Sequence, residues 1–153
     1  MEIKFILDVH LGRLAKYLRL CGFDTLFSAF YDDREIIETA ARDGRVILTR
    51  DRLLLRNAGD VTGHQVRSQY HDEQLRDVFE RFGLKDRVKL FTRCIACNTL
   101  LEEVRKEEIE HRLLADTRRY FSRFMRCPAC DRIYWEGSHY DNMKKSLAHL
   151  LGS

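Results

Sequence analysis

Val46-Ile47-Leu48-Thr49-Arg50-Asp51 is an apolar run that ends on a carboxylate, and Ile3-Lys4-Phe5-Ile6-Leu7-Asp8 is a second. Each reads as a short buried strand delivering one aspartate at its C-terminal end, the edge where open α/β sheets bind ligands. Two aspartates so placed can share a divalent cation. The competing reading is that each only caps the following helix, because Leu11 to Cys21 and Arg52 to Arg56 both read as helical and Asp is a strong N-cap. Their joint occurrence favours chemistry.

Between the two runs the chain alternates. Leu11, Leu14, Ala15, Leu18 and Cys21 recur at helical spacing and Gly22 stops the helix, while Arg13, Lys16 and Arg19 form a basic stripe on its other face. A solvated face is the default reading of that stripe, and Cys21 reads as a small buried apolar residue. Phe23 to Ala29 reads as a second strand. Asp32 and Glu35 then form a capping box before Ile36, Ile37, Ala40 and Ala41, which leaves Asp33 the freer carboxylate. Asp43-Gly44 ends that helix, and Arg45 to Thr49 is the third strand. Beyond Asp51 come a short helix at Leu53 to Leu55, a loop from Gly59 to Gly63 and a fourth strand at His64 to Arg67. A helix follows on Leu75, Val78, Phe79 and Phe82, with Asp72 its expected cap and a fourth candidate for the acidic cluster. Strand-helix alternation predicts a parallel sheet with helices on both faces.

The 153 residues, 44% hydrophobic and 33% charged, suffice for one real core plus a small appended module. The sequence shows neither a membrane-spanning apolar stretch nor a signal-type N-terminus, so a cytoplasmic location is the expectation. Residues 1–91 hold 16 Lys and Arg against 15 Asp and Glu, and residues 92–153 hold 11 against 9. Net charge is thus a weak argument for nucleic acid, and distribution must carry it.

After Phe91 the composition changes, setting an expected boundary between domains 1–91 and 92–153. Cys94-Ile95-Ala96-Cys97 is answered by Cys127-Pro128-Ala129-Cys130 across 29 residues. Four thiolates in two knuckles make a tetrahedral zinc site with no open position, hence a structural one. Before the second knuckle runs Arg118-Arg119-Tyr120-Phe121-Ser122-Arg123-Phe124-Met125-Arg126, the mix of charge and stacking surface that binds single-stranded nucleic acid. Its bland alternative is a ribbon strand with aromatics packed inward and arginines in water. His139, in the aromatic turn Tyr134 to Tyr140, can contact a phosphate or bond within its turn. Met143 to Leu151 reads as a closing helix.

The chain resembles the Mut-seven C-terminal ribonuclease family, a PIN-like nuclease domain joined to a zinc ribbon. The resemblance rests on Asp8 with Leu11-Gly12-Arg13-Leu14-Ala15 and Leu18-Arg19, Gly22-Phe23-Asp24, Asp33 before Glu35-Ile36, Leu48-Thr49-Arg50-Asp51 and Glu73-Gln74-Leu75. It continues in Arg93-Cys94, Cys97-Asn98, Cys127-Pro128-Ala129-Cys130, Tyr134-Trp135 and Gly137-Ser138-His139. His10 and Lys16-Tyr17 depart from the pattern. The resemblance implies a PIN-type fold whose Asp8, Asp33 and Asp51, with Asp72 a plausible fourth, hold Mg²⁺ or Mn²⁺ to cut RNA, as an endoribonuclease by expectation. Hard cations prefer carboxylate oxygens, and clustered aspartates repel one another without one. Arg13 and Arg50 are candidates to hold the scissile phosphate, and Arg119, Arg123, Arg126 and His139 are candidate RNA contacts.

The expected partner is RNA in single-stranded or loop regions, with a ribosome or a protein regulator as further candidates and no membrane. A second hypothesis is a non-catalytic RNA- or ribosome-binding zinc-ribbon module with a vestigial acidic site. A third, a zinc-stabilised protein adaptor, needs no acidic pocket.

Overall fold

The computed structural model describes residues 2–151; the expected outer domain limits at residues 1 and 153 lie outside them. A four-stranded parallel sheet forms first in the chain, from β1 (Lys4–Leu7), β2 (Asp24–Phe27), β3 (Val46–Thr49) and β4 (Gly63–Gln65), in the order β2-β1-β3-β4. The connecting helices are α1 (Gly12–Leu20), α2 (Asp33–Asp43) and α3 (Arg52–Asn57), and α4 (His71–Phe82) follows β4. Alternate residues of the central strands face opposite sides, as a pleated strand requires. Phe5, Leu7, Val46 and Leu48 join α1 and α4 in one core, while Ile6 and Ile47 pack with Ile36, Ala40, Leu54 and Ala58 of α2 and α3 in the other.

The winding reverses direction after β2, so α1 lies on one face and α2 and α3 on the other, the arrangement that right-handed crossovers demand. The reversal makes the gap between β1 and β3 the topological switch point of the sheet. In such sheets the crevice outside the carboxyl ends at that point is where ligands bind.

Local signals fix the helix ends. Asp32 Oδ1 accepts from Glu35 N at 2.8 Å and Glu35 Oε1 accepts from Asp32 N at 3.5 Å, the expected capping box. Gly22, after α1, has φ +93°, and a Cβ there would sit 2.5 Å from Lys89 O, so glycine is required by both conformation and space. At α4 the expectation is corrected: Tyr70 is the N-cap residue and Asp72 lies in the first turn, where its charge meets the helix dipole.

The remainder holds an antiparallel sheet of β5 (Glu102–Val104), β6 (Phe124–Arg126) and β7 (Ile133–Tyr134), with α5 (Lys106–Ile109), α6 (Ala115–Tyr120) and α7 (Ser138–Leu151). The basic-aromatic stretch, expected as one strand in its bland reading, splits between the end of α6 and β6 because its first half has no strand partner. Val104, Ile109 and Phe124 form a small core of their own, whereas Met125, Tyr140, Met143 and Leu147 join the core under α1 and α4. Among the described residues no helix is long and apolar enough to cross a membrane.

Candidate active site and zinc centre

Asp8 and Asp51 leave β1 and β3, flanking the switch point, and Asp33 opens α2. All three, with Val9, His10, Tyr31, Ile36 and Arg50, line one cavity of about 260 Å³. Capping and clustering are both true of the two strand-end aspartates. Asp8 Oδ1 accepts from His10 N at 3.0 Å and Asp51 Oδ1 from Leu53 N at 2.8 Å, so each carboxylate is aimed by the turn that follows its strand.

Thr49 joins them. Its hydroxyl donates a short hydrogen bond to Asp8 Oδ2 and accepts from Asp51 N at 3.0 Å. This buried threonine is an orienting residue that sequence reading missed, because inside an apolar strand it reads as one more β-former. Asp33, at the first position of α2, forms no side-chain hydrogen bond or ion pair among the described residues, in keeping with its expected freedom. Asp72 does not line the cavity.

Among the described residues none of the three carboxylates is salt-bridged. Three carboxylates that share a cavity with one arginine and form no salt bridge to it are a donor set suited to a hard divalent cation. Their oxygens do not all close to the 4.8 Å mutual spacing that the cysteine sulfurs reach. A cation that retains waters fits such a set better than one held by protein ligands alone.

The other candidates scatter. Arg50 lines the acidic cavity. Arg13 and His139 meet instead in a separate cleft of about 570 Å³ with Lys16, Phe27 and Ile95. Arg119 lies over the Tyr120 ring and Arg123 over Phe91, while Arg126 pairs with Glu102 at 3.2 Å. Arg19 leaves the expected solvated stripe: it is buried, donating from Nε to Thr25 O at 2.9 Å and from a terminal nitrogen to Ile95 O at 3.1 Å.

The four sulfurs of Cys94, Cys97, Cys127 and Cys130 lie within 4.8 Å of one another. Cys94 Sγ is 3.6 Å from Cys130 Sγ and Cys97 Sγ is 3.4 Å from Cys127 Sγ. A tetrahedron with Zn–S bonds of 2.3 Å has edges of about 3.8 Å, so the cluster can hold zinc with little adjustment. The two knuckles repeat one geometry. Asn98 N donates to Cys94 O and Asp131 N to Cys127 O, and both residues adopt positive φ, 77° and 65°, to turn the chain around the sulfurs. Burial works against the Cys130 thiolate, but hydrogen bonds from Arg132 and the neighbouring thiols prevail and bring it down to about 6. Burial pushes Cys94 up to about 11, against the pull of the Tyr134 hydroxyl 2.9 Å from its sulfur.

The first knuckle is also the dock. Asn98 Oδ1 accepts from Thr25 N at 2.8 Å and its Nδ2 donates to Asp24 Oδ1 at 2.7 Å, so the side chain closes the free edge of β2. Arg93 adds bonds to Gly22 O at 3.3 Å and Asn98 O at 2.8 Å. No curated protein and no solved structure matches the chain. A family model described as the Mut7-C RNAse domain matches residues 3–147, nearly the whole length, and the chain belongs to that family.

Proposed function

We propose that the protein is a metal-dependent ribonuclease of PIN type, with residues 1–91 as the nuclease domain and 92–153 as a structural zinc ribbon. The family supports ribonuclease activity. The observation that carries the metal-dependent reading is that Asp8, Asp33 and Asp51, from three separate segments, line one cavity at the switch point and, among the described residues, form no salt bridge. Mg²⁺ or Mn²⁺ bound there would supply Lewis-acid activation of water and neutralise charge on the leaving oxygen.

Asp8 and Asp51, held rigid by their turns and by Thr49, would be the ligands, and Asp33, unencumbered, would ligate the cation or orient water. Arg50 grips the non-bridging oxygens of the scissile phosphate. Water attacks the phosphorus in line with an ester oxygen, so that a new P–O bond forms as the P–O bond to the leaving oxygen breaks, and the water's proton passes by way of solvent to that oxygen. Asp72, outside the cavity, acts at most on flanking RNA, and the cleft of Arg13 and His139 takes phosphates beyond the cut. The test is cleavage of labelled mixed-sequence RNA with and without Mn²⁺ or Mg²⁺, with the Asp8→Asn/Asp51→Asn variant as the control for contaminating nuclease. Cutting that needs the cation and vanishes in the variant is expected. Binding without cutting by either protein would replace this reading with a binding module.

A further inference from the structure

Seven large apolar side chains are exposed among the described residues, and four of them sit at one end of the parallel sheet. Val9, Phe30, Leu53 and Tyr70 follow the last residues of β1, β2, β3 and β4, Leu7, Phe27, Thr49 and Gln65, by no more than five positions. Phe30 is 91% exposed and Tyr70 58%. Burying an aromatic ring is worth a few kcal/mol to a fold, so two rings left in water at the carboxyl end of the sheet, the end where the acidic cavity opens, call for a ligand. They occupy opposite edges of the sheet, with Asp8 and Asp51 between them. Three interstrand gaps of about 4.8 Å put those edges about 14 Å apart.

The two rings are presented alike. Phe30 N donates to Ser28 Oγ at 3.1 Å and Tyr70 N to Ser68 Oγ at 3.0 Å, so each aromatic sits two residues past a serine that fixes its turn. Ser68 is fixed in its turn by Glu73, 2.5 Å away. Tyr31, beside Phe30, lines the acidic cavity itself, and His71, beside Tyr70, stacks on Tyr17 with ring centroids 5.3 Å apart. On the β2 side the aromatic pair therefore reaches the acidic cavity, and on the β4 side it follows the strand next to the one that delivers Asp51.

We propose that Phe30 and Tyr70 are base-stacking platforms that hold single-stranded RNA, one on each side of the phosphate delivered to the cavity. The proposal rests on the ribonuclease reading and names its substrate class. Exposed aromatic faces need unpaired bases, because in a duplex the π-faces are already stacked on one another. A strand crossing from edge to edge lays its bases on the rings while its phosphates meet Arg50 and the cation site. Specificity for unpaired RNA is thus built into the two outer loops and requires no reading of base edges.

The experiment measures affinity of the zinc-loaded full chain for a mixed-sequence single-stranded RNA and for a blunt RNA duplex, in wild type, Phe30→Ala, Tyr70→Ala and Phe30→Trp. Stacking of one base is worth about 5- to 100-fold in affinity. Each alanine variant should lose that much for the single strand with the salt dependence of binding unchanged, since no phosphate contact is removed. Duplex affinity should stay the same. Phe30→Trp should bind as wild type does, with its added fluorescence quenched by the RNA. Both rings are exposed, so folding is not at risk. Single-strand affinities within twofold of wild type in both alanine variants would overturn the proposal and assign the rim to a protein partner, and metal-dependent cleavage by the wild type would then leave the ribonuclease reading standing. Wild type that neither binds nor cuts RNA would overturn both.

Discussion

The two ends of the parallel sheet treat their carboxylates in opposite ways. At the end where β2 begins, Asp24 Oδ1 is 2.8 Å from a terminal nitrogen of Arg45 and 2.7 Å from Asn98 Nδ2, and Arg45 also donates to Phe5 O. At the end where the strands finish, Asp8, Asp33 and Asp51 share a cavity with no ion pair among them. Compensated charge at the first end binds the ribbon to the sheet. At the second the carboxylates hold only their own turns and caps, with no ion pair to offset their mutual repulsion, which is the usual compromise of a functional site. One sheet thus separates stability from chemistry along its strand direction.

That contrast can be broken most severely at the four-cysteine cluster. Cys94→Ser should remove the metal, whose apparent binding energy in such sites is about 10–16 kcal/mol, and unfold the ribbon. Because Met125, Tyr140, Met143 and Leu147 belong to the core under α1 and α4, the sheet should also melt at least about 10 °C lower. Metal analysis and thermal melts followed by circular dichroism check both. Next in size is Asn98→Gly, which keeps the positive φ but leaves buried Thr25 N without its partner and Asp24 with Arg45 alone. Its expected cost is about 2–4 kcal/mol in urea unfolding.

Asp24→Asn sharpens the comparison through pH. Burial opposes ionisation of Asp24, but the hydrogen bonds and charge of Arg45, with help from Asn98, hold the carboxyl below its ordinary 3.8. A folded-state value below the unfolded one means that the stabilisation is fully present above the unfolded value and is lost as pH falls through the folded one. Wild type should therefore exceed Asp24→Asn by about 1.5–3 kcal/mol at pH 7, and the gap should close below pH 3.8. The smallest effects belong to the other end. Asp33→Asn and Asp51→Asn should change stability by no more than about 0.5 kcal/mol without a divalent cation, since Asn caps α3 as well as Asp does.

Legibility in the sequence follows the same division. Apolar runs ending on Asp8 and Asp51, the Asp32–Glu35 box and the paired cysteines all carry periodicity or spacing that reports a local cause, and each is where it was read. The dock had no such signal. Arg19 lies on the polar face of an amphipathic helix and becomes buried only because the first knuckle covers it, and Asn98 acquires its role from an edge strand 73 residues earlier. Phe30 carries no signal either, since nothing in the sequence separates an exposed phenylalanine beside a strand from one in the core. The cap of α4 moved from Asp72 to Tyr70 because Ser68, through its hydroxyl and its carbonyl, organises that turn.

The most direct measurement is the number of Mn²⁺ ions bound per zinc-loaded chain, counted from the loss of the free-ion paramagnetic signal in wild type, Asp24→Asn and Asp8→Asn/Asp51→Asn. Binding in the first two, abolished in the third, is the predicted result. Equal binding in all three, or none in wild type, would contradict a cation site at the carboxyl end of the sheet.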